Sequence, residues 1–427
     1  MERGLRYFTL LVLGLLFLFS GPASEAAIFT QCPCYLLDAD GNPDPTQLDV
    51  LGKGAVYNAT TGNVECSYVD ASLATHQVVC KSLTAGDGHV YMADRDRSGA
   101  DPDKGDTYVF GFSDVTGVAN DQIMTEGMLA ANTSAPTIDL KEGQELYLSL
   151  TNVGMIQRPD LFDAHTVHYH GFQNAASIFD GEPMASLGVN MGSTFTYYYN
   201  NVEPGTYMWH CHFEASEHMQ MGMLGNLFVR PAQDGSLLGG CSSRLYAYND
   251  GDGSTCYDIG YPIQITAFDP NFHHADNSYN PLDFAGMNDT YTMFNGRGYP
   301  DTVLTAPIAN IDGHNSQNTN ALITATRGQK ILLRISSLST VDFYTVTLWG
   351  MQMTVVGQGA RLLRGPDGKN LFYITNSITL GGGEAMDVII DTTNVSAGRY
   401  FLYTANLNHL SNDAEDFGGM MTEIVIN

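Results

Sequence analysis

The 427-residue chain is short of positive charge: 19 lysines and arginines stand against 46 aspartates and glutamates, a formal net charge of −27. Such a surface repels polyanions, which excludes nucleic acid and anionic membranes as partners and favours cations or basic proteins. Tryptophan is scarce as well, with 2 residues. Long helical periodicity is hard to find, which argues against a helix-and-sheet fold. After the first twenty-odd residues no segment is apolar enough to cross a bilayer.

The start of the chain is the exception. Arg3 and Arg6 precede "YFTLLVLGLLFLF", and "SGPASEAA" follows. A charged start, an apolar middle and small residues at the end have the order of a secretory signal. Residues 1–26 are therefore expected to be removed after Ala26, leaving a secreted or periplasmic protein with no membrane attachment.

Histidine is sparse too, at 12 residues, and so is cysteine, at 7. An odd cysteine count in an exported chain leaves one thiol over. With Cys211 set aside, Cys32, Cys34, Cys66, Cys80, Cys241 and Cys256 remain, enough for three disulfides. Cys241 and Cys256 form a plausible local pair. The other four are expected to cross-link the N-terminal segment, with Cys32 and Cys34 not joined to each other.

What the chain does have is short β-type runs, "QELYLSLTNV", "STFTYYYNNV", "GNLFVRP", "KILLRISSL", "AMDVIIDTT" and "TEIVIN", separated by "EPGT", "GPDGKN", "TLGGGE" and "VSAGR". Alternating and β-branched runs between Gly- and Pro-rich turns predict an all-β sandwich. The chain also repeats itself. "EGQELYLSLTN" answers "RGQKILLRISS", "DAHTVHYHGF" answers "DFYTVTLWGM", and "PGTYMWHCH" answers "AGRYFLYTA", in the same order. Two related sandwich domains in tandem follow, at 105–235 and 255–427, preceded by an N-terminal extension at 27–104. Acidic stretches in that extension, "DADGNPDPTQLD" and "DRDRSGADPDKGD", read as solvated turns rather than calcium loops.

The repeat is asymmetric. Tyr344, Thr347 and Trp349 stand where the first copy has His165, His168 and His170, and Tyr403, Thr404 and Ala405 where it has His210, Cys211 and His212. The first domain carries the chemistry.

Alternate residues of a strand point to opposite faces. His210 and His212 in "WHCHFEASEHMQMGM" therefore face one way and Cys211 the other, and His168 and His170 in "HTVHYHG" share a face. That arrangement predicts two metal sites back to back. Cys211 with His165 and His218 supplies a thiolate and two imidazoles, the trigonal set of a blue-copper site, with Met223 as the axial thioether and Met221 as second candidate. Zinc is the chemical rival, but structural zinc prefers a closed tetrahedral set. The pair His273 and His274 is read as capping a turn, and the acidic Glu214 and Glu217 as solvating the copper loop or steering a basic donor.

The two motifs together resemble those of multicopper oxidases, His-x-x-His-x-His with His-Cys-His…His…Met, as do "FDGEP", "FNGRGYPDTV" and "GGMMTEIVI". The resemblance covers most of residues 105–427 and implies tandem cupredoxin-like Greek-key β-sandwiches. It implies a type 1 copper at His165, Cys211, His218 and Met223 that accepts electrons. It further implies type 2 copper at His168 and type 3 copper at His170, His210 and His212, where dioxygen would be reduced. Two departures stand out. The Cys211-to-His218 gap is two residues longer than is usual, and the two further His-x-His motifs of a full trinuclear cluster are missing. A homo-oligomer, most plausibly a trimer, could supply the rest. The alternatives are a blue-copper electron carrier, a nitrite reductase-like trimer in which His409 joins a neighbour's site, and a copper-storage protein. The electron donor would be a cationic cytochrome or a small phenolic or metal reductant.

Overall fold

The computed structural model describes residues 28–92, 106–200, 203–412 and 415–427. The expected signal segment, residues 1–26, lies outside them, as does all but the last residue of "DRDRSGADPDKGD". Strands dominate, and two β-sandwiches stand in tandem.

The first sandwich is built from β1 (Val56–Asn58), β2 (Asn63–Val69), β3 (Thr75–Tyr91), β4 (Asp106–Asp114), β5 (Ile138–Lys141), β6 (Glu145–Gly154), β7 (His168–Tyr169), β8 (Thr194–Tyr199), β9 (Gly205–His210) and β10 (Leu224–Arg230). One sheet runs β8-β6-β3-β2-β1, with β4 paired to β3, and the other runs β5-β10-β9-β7. The second sandwich uses β11 (Ile259–Phe268), β12 (Tyr291–Phe294), β13 (Ile323–Ala325), β14 (Lys330–Ser337), β15 (Tyr344–Leu348), β16 (Met353–Gln358), β17 (Ser377–Leu380), β18 (Glu384–Asp391), β19 (Gly398–Thr404) and β20 (Met421–Ile426). Its sheets contain β12-β11-β14-β18-β16 and β13-β20-β19-β15-β17.

The internal repeat is visible in the pairing. β3 lies parallel to β6 as β11 does to β14, and β5 parallel to β10 as β13 does to β20. This moves a boundary. The strand β3 is the first domain's counterpart of β11, so the segment set apart as residues 27–104 contributes the middle of the first domain's sheet. The cysteine-rich stretch and the acidic turns suggested a separate extension. The parallel β3–β6 ladder joins residues far apart in sequence, and no local pattern reports it.

The N-terminal segment is fastened to this sheet by Cys32–Cys80 and Cys34–Cys66, and Cys241–Cys256 closes a local loop between the domains. Cys211 is the one free cysteine among the described residues, and it is buried. The turn at Asp38 is held by its own carboxylate, which accepts from the backbone N–H groups of Asp40 and Asn42, the role of an aspartate in a solvated turn.

Each domain has its own apolar core. The first gathers Leu83, Phe110, Phe112, Leu148, Leu150, Tyr197, Tyr199 and Trp209 around Cys211 and Met223. Tyr197 and Tyr199 are buried and Tyr198 between them is half-buried, as alternation requires. The domains meet where β9 and β10 pack on β14 and β18. Met208, Leu224, Leu338 and Ala385 form the apolar part. Around them Ser336 donates to Asn226 Oδ1 at 2.5 Å, and Arg334 to Thr206 Oγ1 at 3.1 Å. Buried polar groups matched in this way fix one relative placement of the two sandwiches. In "FNGRG", Gly296 has φ +72° and a Cβ there would lie 2.2 Å from the Thr133 carbonyl oxygen, so the two domains approach backbone to backbone.

Candidate metal centre

Three ligand-bearing segments converge inside the first sandwich. His165 precedes β7 and is held by an antiparallel bridge to Val189. Cys211 directly follows β9. His218 sits on α1 (Ala215–Gln220), a short helix inside the loop that returns the chain to β10. This helix absorbs the long gap between Cys211 and His218. Glu214 enters it in the left-handed region, at φ 48°, and Met223 N–H then donates to the His218 carbonyl at 2.8 Å.

His165, Cys211, His218 and Met223 are all fully buried. Cys211 Sγ lies 3.2 Å from His218 Nδ1 and 3.8 Å from His165 Nδ1, and the Thr166 N–H donates to the sulfur at 3.4 Å. Met223 and Met221 both belong to the same core cluster as Cys211. Burial, reinforced by the charge of His218, holds His165 well below the usual histidine range. Burial alone would lower His218 too. The Cys211 sulfur and the Asp163 carboxylate outweigh it and push His218 up to about 10. A positive charge between the Cys211 sulfur and the Asp163 carboxylate is thus what this pocket stabilises, and a metal cation fits the same place.

On the other side of Cys211, the ligand atoms of His168, His170 and His210 lie within 4.8 Å of one another. His212 flanks them, its ring stacked on His210 at 5.3 Å and edge-on to His168 at 4.8 Å. Each of the three converging rings is oriented by a hydrogen bond on its far side. His168 Nδ1 donates to the Asp180 carbonyl at 2.8 Å, and His210 Nδ1 to the Cys211 carbonyl at 2.7 Å. The Gly383 backbone of the second domain hydrogen-bonds His170, and a Cβ at Gly383 would lie 3.1 Å from that ring's Nδ1. Burial drives His210 down to about 3, so it is neutral with its single proton on Nδ1. Its Nε2 lone pair then faces His170 Nε2 at 3.0 Å. A ring nitrogen facing that lone pair at this distance either donates a proton to it or shares a cation with it, and backbone carbonyls behind metal-binding imidazoles are the usual second layer of such sites.

Several supporting residues escaped the sequence reading. Asp180 and Gly181, of "FDGEP", hold His168: a Cβ on Gly181, at φ +77°, would lie 2.0 Å from the Val167 carbonyl oxygen. Buried Asn152 donates to the carbonyls of Asp163 and Val189, bracing the segment that carries His165. Thr166 accepts from the His212 N–H at 3.0 Å, linking the Cys211 cluster to the imidazole cluster. "FDGEP" was visible as a motif; Asn152 carried no signal of its own.

One reading needs correction. His273 does not cap a turn. It is a buried residue of α2 (Pro270–Asn277), whose cap is Asp269, accepting from Asn271 and Phe272 N–H. His409, whose expected role lay in a neighbouring chain's site, stands in the second domain. Its ring packs on Tyr344 at 5.1 Å, beside the second domain's counterpart of His165.

A sandwich whose first copy buries a Cys-His-His set back to back with an imidazole cluster is a cupredoxin-type copper domain, and the second copy has kept the frame without the ligands. Family comparison agrees. A "Multicopper oxidase" family model matches residues 116–234 and a second one, of the same description, matches 269–425, together well over half of the chain. The chain belongs to the multicopper oxidase family, and is a copper-binding oxidoreductase. No curated protein sequence matches it.

Among solved structures, the multicopper oxidase mgLAC superposes with TM-score 0.58 and 19% identity over 81% of this chain and 85% of its own. A blue copper oxidase from Nitrosomonas europaea gives 0.58 and 20% over the same shares, 81% and 85%. A copper nitrite reductase from the same organism gives 0.53 and 15%, covering 82% of this chain and 94% of its own. These likenesses concern the fold.

Proposed function

We propose that this is an exported, two-domain multicopper oxidase that takes single electrons at a type 1 copper and delivers them to a second copper site for dioxygen reduction. His165, Cys211, His218 and Met223 are the type 1 ligands in this reading, and His168, His170, His210 and His212 hold the second site. Copper at the first site supplies one-electron redox chemistry, and copper at the second supplies the means to bind and reduce dioxygen.

The observation that carries the reading is the continuity of the two ligand sets. Cys211 contributes its sulfur to one set, while its carbonyl orients His210 of the other. The Cys211 backbone and its hydrogen bond to His210 form a short covalent and hydrogen-bonded link between the sites. Thr166 provides a second link through His212.

The chain's own residues have distinct tasks. Burial of His165 and His218 excludes water from the first site. The carbonyls of Asp180 and Cys211 keep the proton of His168 and His210 on Nδ1, leaving Nε2 free to ligate. A second copy of the chain completes the dioxygen site in this reading, since one chain offers four imidazoles there; a closed trimer is the assembly we favour. The acidic surface selects a basic protein donor or a small reductant.

Oxygen consumption by copper-loaded protein with an artificial one-electron donor tests the reading. Turnover abolished by Cys211→Ser supports it. A strong blue absorption without oxygen uptake would instead define an electron carrier.

A further inference from the structure

His273 projects from the second domain into the wall of the first copper site. It is 1% exposed. Its Nδ1 lies 2.6 Å from the Tyr108 carbonyl oxygen and its Nε2 lies 2.9 Å from the Gln220 carbonyl oxygen. Both partners are acceptors. A neutral imidazole has one N–H and can satisfy one of them, leaving a nitrogen lone pair against the other oxygen; the imidazolium satisfies both.

The two carbonyls belong to opposite walls of the pocket around His218. Tyr108 precedes Phe110 by two residues, and the Phe110 ring meets the His218 ring edge-on at 5.7 Å while its N–H donates to the Met221 carbonyl at 2.9 Å. Gln220 closes α1, the helix that carries His218, and its side chain donates to Asp289 at 2.8 Å. One imidazole thus ties β4 and the copper loop of the first domain to α2 of the second.

The charged and titratable groups around it are few. On α2 they are the cap Asp269, His274 and Asp276, the last paired with Arg158. On the β4 side stand Tyr108, whose hydroxyl donates to Asp87, and Asp106. On the copper-loop side stand Glu217 and His218 of α1, Glu217 interacting with Asp276 of α2, and Asp289, which accepts from the Gln220 side chain. A cavity of about 250 Å³ lined by Tyr108, Pro270, His273 and Tyr291 gives protons a way in. Burial holds His273 below the usual histidine range, against the two carbonyls that favour its charged form.

We propose that His273 is a positioning residue whose second proton clamps the copper loop to the second domain, so that the first copper site changes as that proton is lost. The inference rests on His218 being a copper ligand. On loss of the proton, one of the two carbonyls is left without its imidazole donor in a buried position, and its segment shifts to find another. The clamp is closed at acid pH and released towards neutrality.

Two measurements test it. Nitrogen NMR of histidine-labelled, metal-free protein reads the protonation of His273 directly: two N–H groups at low pH and one at higher pH, with a midpoint below 6.5. A single N–H throughout pH 4–8 overturns the proposal, whether or not copper binds. In copper-loaded protein, the reduction potential and absorption band of the first site should show a one-proton shift over the same range. His273→Gln should lose that shift and keep the band. An unchanged shift in the variant overturns the proposal. A wild-type protein with no blue band would refute the copper reading instead, and the NMR titration would still decide the clamp.

Discussion

His210 Nδ1 lies 2.7 Å from the carbonyl oxygen of Cys211, its neighbour in sequence. The residue that turns its sulfur towards His165 and His218 therefore holds a ring of the imidazole cluster on its other side. Because successive side chains of a strand point to opposite faces, His-Cys-His sends one thiol to one side and two imidazoles to the other.

Cys211→Ser should remove the first site and leave the second. Copper content should fall by one per chain, and the thiolate-to-copper absorption should vanish. Copper held by His168, His170 and His210 should remain detectable by electron paramagnetic resonance.

Gly181→Ala should injure the second site selectively. The left-handed backbone costs a non-glycine residue about 1–2 kcal/mol, and the new Cβ would meet the Val167 carbonyl as well. Thermal unfolding should move down by roughly 2–8 °C on the scale for a domain of this size. Copper affinity of the second site should fall with it, since Gly181 adjoins the Asp180 carbonyl that orients His168.

The Cys241–Cys256 disulfide closes a loop with a sequence separation of 15. Loop-closure entropy gives such a bond about 3 kcal/mol. The double Cys→Ala variant should lose about that much in denaturant unfolding, with the blue absorption unchanged, because neither cysteine touches the copper set.

Asp289 gives a pH prediction with a definite sign. Burial raises its carboxyl to about 6, against the hydrogen bond from Gln220, with the charges of Asp342 and Asp269 adding to the rise. The folded chain therefore holds this proton at pH values where the unfolded chain, near 3.8, has lost it. Stability contributed by the protonated carboxyl is present below about 3.8 and is lost as pH rises through about 6. Asp289→Asn should be more stable than wild type at pH 8 and no more stable at pH 3.5, by chemical denaturation at the two pH values.

The two clusters of histidine and cysteine that the structure brings together were legible because their motifs are local: "HTVHYHG" and "WHCH" set imidazoles and thiol on opposite sides by strand alternation, and His218 follows a short loop later. The repeat was legible because β6, β7 and β9 keep apolar and turn residues that β14, β15 and β19 also keep. What stayed hidden depends on distant partners. β3 (Thr75–Tyr91) joins the first sheet through a parallel ladder to β6, so its place could not be read from its own residues. α1 forms within the copper loop, six residues too short to show a helical period. His273 looked like a turn residue because its partners, Tyr108 and Gln220, lie 165 and 53 positions away. Gly383, which supports His170 from the second domain, has the same excuse of distance.

Anomalous diffraction at the copper edge from copper-loaded crystals would test the central claim most directly. The account predicts one peak among His165, Cys211, His218 and Met223, and at least one more among His168, His170, His210 and His212. A peak at the first position alone, in fully loaded protein, would contradict it.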